Sequence, residues 1–140
     1  KIYTMPKIPL PEMVSEVKVN GEKWQDLSSP VRYGVDYITE QEGFLLIKGW
    51  AYLQSSTMNF MDISIWLLRG DIHIKIDPYT ERRDDVIPDL SKVNCGFFAV
   101  IPQNIIPPGD YELGVMLQRK YTWWTAKTFS KSTGVKITHR

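Results

Sequence analysis

The side chains able to do chemistry lie in a few short segments. Tyr121, Trp123 and Trp124 stand beside Arg119, Lys120 and Lys127. An exposed indole offers a flat apolar face with a polar edge, which suits the C–H face of a sugar ring or an anchor in a protein interface. The neighbouring cations would supply hydrogen bonds or pair with acidic sugars. Adjacent residues of a strand point to opposite faces, so one of Trp123 and Trp124 is exposed unless the segment is a loop or is covered on both sides. Tyr52 and Trp24 could extend such a surface. The candidate ligand-binding set is therefore Trp123, Trp124, Tyr121, Arg119 and Tyr52.

The charged segments invite other readings. Arg82-Arg83-Asp84-Asp85 could clamp a carboxylate or phosphate, since a guanidinium fork binds both in bidentate fashion. No histidine or third polar group accompanies it in sequence, which favours a structural corner in which Arg83 pairs with Asp85 or caps backbone carbonyls. Arg69-Gly70-Asp71 spells an integrin-recognised tripeptide, yet it sits where a hairpin turn is expected between two strongly patterned strands. His73, with Asp71 and Asp77, reads as a solvated strand face rather than a metal site, and His139 lies near the end of the chain. Glu40 and Glu42 fall in an expected turn as ordinary solvated acids. No nucleophile–base pair emerges, so the chain reads as non-enzymatic, without cofactor or metal.

Composition narrows the partners. The 140 residues suit one domain, and 43% hydrophobic with 12% aromatic content suffices for a substantial core. With 17 basic and 16 acidic residues, the formal charge of +1 leaves no footprint for a polyanion, so nucleic acid is not an expected partner. Cys95 is the single cysteine, which excludes an internal disulfide. No apolar run approaches a membrane span of about 18 to 20 residues. Lys1 is not a natural start, and Pro6, Pro9 and Pro11 suit a linker from a neighbouring domain or membrane segment. Residues 1–12 are read as a proline-rich linker or edge segment, and 13–140 as one domain.

Period-two alternation dominates that domain. In Asp71–Asp77 three isoleucines face one way and polar side chains the other, and Met61, Ile63, Ile65 and Leu67 share a face just before it. With Arg69-Gly70 as the turn, these segments predict a hairpin over about 61–77. Further strands are expected near 13–19, 31–38, 43–53, 96–101, 110–119, 121–129 and 134–139. Segment 43–53 is apolar on both faces, as in a central strand, and Gly49 marks a bulge or a close packing contact. Helix is restricted to a turn or two within 84–92, where Pro88 limits it.

The order Gly49-Trp50-Ala51, Arg83-x-Asp85-Val86, Gly96-Phe97, Ile101-Pro102 and Pro108-Gly109-x-Tyr111 resembles a bacterial β-sandwich module found beside glycosyltransferases and other surface-polysaccharide enzymes. The resemblance covers 43–119; Lys48 within the strand and the doubled Asp84-Asp85 depart from its usual pattern. It implies an accessory, noncatalytic role, with Gly49, Trp50, Arg83, Asp85, Gly96, Phe97, Gly109 and Tyr111 as structural motif residues. The expectation is an all-β, immunoglobulin-like antiparallel β-sandwich of about seven to nine strands with little helix. It would work outside the cytoplasm or at the cell envelope, positioning an attached domain or contacting a protein, with carbohydrate binding near 121–124 as the alternative.

Overall fold

The computed structural model describes residues 14–119 and 127–140. Its strands are β1 (Glu16–Val19), β2 (Val31–Gln41), β3 (Phe44–Leu53), β4 (Met61–Arg69), β5 (Ile72–Asp77), β6 (Tyr79–Glu81), β7 (Gly96–Pro102), β8 (Gly109–Arg119) and β9 (Thr128–His139). They form two antiparallel sheets, β1-β5-β4-β8-β9 and β2-β3-β7-β6. Naming β2 to β9 as A, B, C, C′, D, E, F and G gives A-B-E-D packed on G-F-C-C′, which is the immunoglobulin Greek key. β1 adds a strand beyond C′. Before it, the Ser15 backbone N–H donates to the Val100 carbonyl at 2.9 Å, so the entering chain touches one sheet before joining the other.

Alternation explains the core. Leu45, Ile47, Ala51 and Leu53 of β3 and Phe97, Ala99 and Ile101 of β7 face Ile63, Ile65 and Leu67 of β4 and Leu113, Val115 and Leu117 of β8. The β4–β5 hairpin closes through Gly70-Asp71, with Gly70 at φ +53°, as the sequence predicts. Positive φ at the first loop residue alone is the type II′ pattern. The Arg69 guanidinium donates to the Pro108 carbonyl at 2.7 Å, so the tripeptide's arginine serves this corner rather than an adhesive surface.

Tyr111, 1% exposed near the start of β8, donates its hydroxyl hydrogen to the Pro107 carbonyl. This is the tyrosine corner of immunoglobulin-like folds. Tyr111→Phe should cost about 1 kcal/mol, because the part-buried Pro107 carbonyl loses its donor while the ring still packs; urea unfolding followed by circular dichroism measures it.

Some expectations change. The anticipated strands 121–129 and 134–139 are replaced, where described, by one strand, β9, with Gly134 at φ +76° and a register shift between Glu112 and Gly114. A bulge near Gly134 lets one strand run through the stretch between the two expected ones. Segment 84–92 makes turns and no helix, β6 follows directly on Pro78, and a 3-10 turn spans Gln103–Ile105. Residues 1–12, read as a linker, lie outside the described residues.

The outer face of the five-stranded sheet carries a strap made by residues 20–29. Trp24 sits over Gly114 and packs on the buried Trp66, with ring centroids 5.4 Å apart. Its backbone N–H donates to His73 Nδ1 at 2.9 Å, and Leu27 N–H donates to Ser130 Oγ at 3.0 Å. Trp24 therefore belongs to the packing and is not free for a ligand surface, and His73 anchors the strap rather than standing on a solvated face.

Candidate functional site

Of the motif residues, Trp50, Arg83 and Asp85 meet on the outer side of the four-stranded sheet beside Gly96, Gly49 and Phe97 pack on its core side, and Gly109 and Tyr111 belong to β8 of the other sheet. Gly49 pairs with Phe97 across β3 and β7, and the Phe97 ring occupies the space a side chain at 49 would need. Trp50 pairs with Gly34 on one side and Gly96 on the other. The Cε2, Nε1 and Cζ2 edge of its indole sits over Gly34, and the Arg83 stem lies over Gly96. Aromatic rings thus supply the contacts that Gly34 and Gly49 lack, and the Arg83 stem does so for Gly96.

Arg83 locks this arrangement. Its guanidinium donates to Asp36 at 2.5 and 3.3 Å and to Asp85 at 2.9 and 3.0 Å. Asp36 lies at the β2 bulge between Val35 and Tyr37, so the cluster ties the 82–95 loop to the sheet edge. Both forks of the guanidinium are occupied by carboxylates of the same chain, which supports the structural-corner reading. Arg82 pairs separately with exposed Asp84 at 2.9 Å. Sequence reasoning found the Arg83–Asp85 pair; Asp36 lies 47 residues away, where no local spacing could reveal it.

The hydrogen bonds from Arg83 hold the Asp85 carboxyl below its ordinary 3.8. A lowered folded-state value means the pairing contributes stability above the unfolded value and loses it as pH falls through the folded one. Asp85→Asn should therefore be less stable than the parent at neutral pH, with the gap closing below about pH 4. Thermal unfolding midpoints across that range measure it.

The loops at one end of the sandwich form a second convergence. The 54–60 loop, joining B to C, and the 82–95 loop, joining D to E, are laced together. Met58 N–H and Thr57 Oγ1–H donate to the Ser91 carbonyl at 2.7 and 3.2 Å, Lys92 Nζ donates to the Ser56 carbonyl, and Asn94 donates to Asn59 at 3.3 Å. Arg119, at the base of the F–G connection, donates to Ser56 Oγ at 2.8 Å. Its guanidinium thus braces the loops. Met58 and Val93 seal the base, while Phe60 is 58% and Leu90 76% exposed.

Leu90 is held at the apex of an ordered turn. Lys92 N–H donates to the Asp89 carbonyl at 2.9 Å, and Asp89 Oδ1 accepts from the Ser91 N–H and hydroxyl at 2.9 and 2.7 Å. The side-chain bond from Ser91 holds the Asp89 carboxyl below its ordinary value. Sequence reading missed Leu90 and Phe60; the Asp89-Leu90-Ser91 order, an Asx-type turn carrying a large apolar residue, was the available signal.

Tyr121, Trp123 and Trp124, read from sequence as the binding surface, lie outside the described residues. Tyr52 stacks on Trp50, with centroids 5.7 Å apart and planes at 23°. Glu40 is a β2 residue, paired with Leu45, and Glu42 is the turn residue, at φ +51°. Among the described residues no group of three or more His, Cys, Asp or Glu side chains is placed to hold a metal ion. No family model, curated protein or solved structure matches this chain.

Proposed function

We propose that the domain is a noncatalytic accessory module that docks a protein partner, or positions an attached domain, through the loop end of its sandwich. The observation that carries this is the Leu90 turn. A large apolar side chain stands 76% exposed on a turn closed by its own hydrogen bonds and braced by the neighbouring loop. Exposed apolar residues scattered singly are ordinary, but an anchor held rigid before binding lowers the ordering cost of association. Phe60 on the adjoining loop supplies a second apolar contact, and anchors of this type dominate interface energies. The saturated Arg83 cluster and the Arg119 brace support the same reading, since these two guanidinium groups are spent on architecture. The resemblance to modules beside surface-polysaccharide enzymes supports a partner at the cell envelope.

Site-specific photo-crosslinking in cells tests it. A benzoylphenylalanine at position 90 or 60 of the full-length protein is expected to capture one recurrent partner, or a defined neighbouring domain, identified by mass spectrometry. The same probe at Lys136, an exposed position on the β9 strand, should not. Equal capture from all three positions, or none from 90 and 60, would remove the basis of the reading.

A further inference from the structure

The outer face of the four-stranded sheet carries a second surface, which adjoins the loop end through the 82–95 loop and does not include Leu90 or Phe60. Trp50 and Tyr52 occupy the same face of β3, both half-buried, and their rings stack offset at 5.7 Å and 23°. Arg32 is the direct cross-strand partner of Tyr52 and is exposed. Paired positions place their β-carbons about 4.5–5.5 Å apart, so the guanidinium is tethered beside the stack.

The polar groups here are unspent. The Trp50 indole N–H, the Tyr52 hydroxyl and the Arg32 guanidinium have no hydrogen-bond or ion-pair partner among the described residues, and none is a sealed, orphaned atom. Arg69, Arg82, Arg83 and Arg119 differ, each donating to an oxygen of the chain. On the far side of Trp50, Arg83 with Asp36 and Asp85 makes a cluster of formal charge −1, from one cation and two carboxylates. The stack is therefore flanked by an unpaired cation on one side and a net anion on the other.

The geometry points to a binding site for an acidic pyranose, a uronate residue within a glycan chain. The stacked rings present π surface to the axial C–H groups of the sugar, and the indole N–H donates to a ring hydroxyl. Arg32 takes the carboxylate in charge-assisted hydrogen bonds. The Asp36–Arg83–Asp85 cluster repels a carboxylate from the opposite side, which gives the sugar one orientation. A neutral hexose gains the stacking and lacks the ion pair.

The test is nuclear magnetic resonance titration of the 15N-labelled domain with tetragalacturonate and tetramannuronate, and with neutral galactotetraose. The Trp50 indole signal is assigned from Trp50→Phe. At least one uronate is expected to move that signal saturably, with affinity at least about tenfold above galactotetraose. Arg32→Gln should abolish that preference, and Tyr52→Ala should weaken binding of the same uronate about tenfold or more. Arg82→Gln should bind as the parent does. Arg32 is exposed and makes no internal bond, so its variant is expected to fold; unchanged far-ultraviolet circular dichroism confirms this for each variant. The proposal is overturned if neither uronate moves the Trp50 signal at about 10 mM. Binding unchanged in both Arg32→Gln and Tyr52→Ala overturns it too, as does perturbation confined to other indoles. Shifts that follow protein concentration alone would assign the face to a second copy of the chain instead.

Discussion

Gly49→Ala is expected to destabilise the domain by at least about 3 kcal/mol, a large share of the total for a single domain. A β-carbon at 49 would lie 2.3 Å from the Gly34 carbonyl oxygen and 2.7 Å from Phe97 Cζ. The ring could shift by a rotamer, but the carbonyl is backbone and moves only if β2 separates from β3. That pairing already bends at the Val35/Tyr37 shift, where Asp36 must stay within reach of Arg83. The added methyl therefore strains the sheet and the charged brace together, and trimming Phe97 should not restore stability. Gly21→Ala is the control: its nearest neighbours are Lys18 side-chain atoms at 3.3 Å and beyond, and its effect should stay within about 0.5 kcal/mol. Urea midpoints for both variants decide the matter.

Trp66→Ala should cost about 3–5 kcal/mol. The indole is 1% exposed although it lies on the outer side of its sheet, because the 20–29 strap covers it. Its Nε1–H donates to Ser64 Oγ at 3.0 Å, so truncation loses packing and a buried hydrogen bond at once. The strap itself is tested by Trp24→Ala. If the strap packs as part of the domain, a double-mutant cycle between the tryptophans should show coupling of about 1 kcal/mol. Additive effects would mean that the strap and Trp66 do not share their packing energy.

The parts of this architecture that sequence reveals are those with strong local periodicity. The β4–β5 hairpin is legible because inward isoleucines and leucines alternate with mostly polar outward residues, and the central β3 because both of its faces are apolar. Turn chemistry at Gly70 fixes where β4 reverses into β5, while Gly109, expected in a turn, already belongs to β8, which Pro108 precedes. The weakly patterned Thr128–His139 segment reads as parts of two strands, 121–129 and 134–139, because the polar Ser130-Lys131-Ser132-Thr133 stretch shows no apolar alternation, whereas the structure carries one strand through it with a bulge near Gly134. The three-residue β6 is too short to show alternation and is masked by Pro78. The strap lacks any periodic signal, since its segment is held by long-range hydrogen bonds to His73 and Ser130 rather than by its own pattern.

For the sites, residue type was legible and placement was not. Arg83 and Asp85 announce a pair by proximity, while Asp36 enters only through the fold. Tyr52 was recognisable as an aromatic candidate, but its stacking on Trp50 and its pairing with Arg32 depend on strand register. Arg119 suggested ligand contact and instead braces Ser56.

The most direct measurement of the docking role compares stability with complex formation in Leu90→Ser, Phe60→Ser and the double variant, using the purified partner or neighbouring domain identified by crosslinking. Both side chains are exposed, so thermal midpoints should fall little, within about 0.5 kcal/mol per site, while affinity drops at least about thirtyfold in the double variant. Undiminished affinity in a folded double variant would contradict the account, because the loop end would then display its anchors without using them.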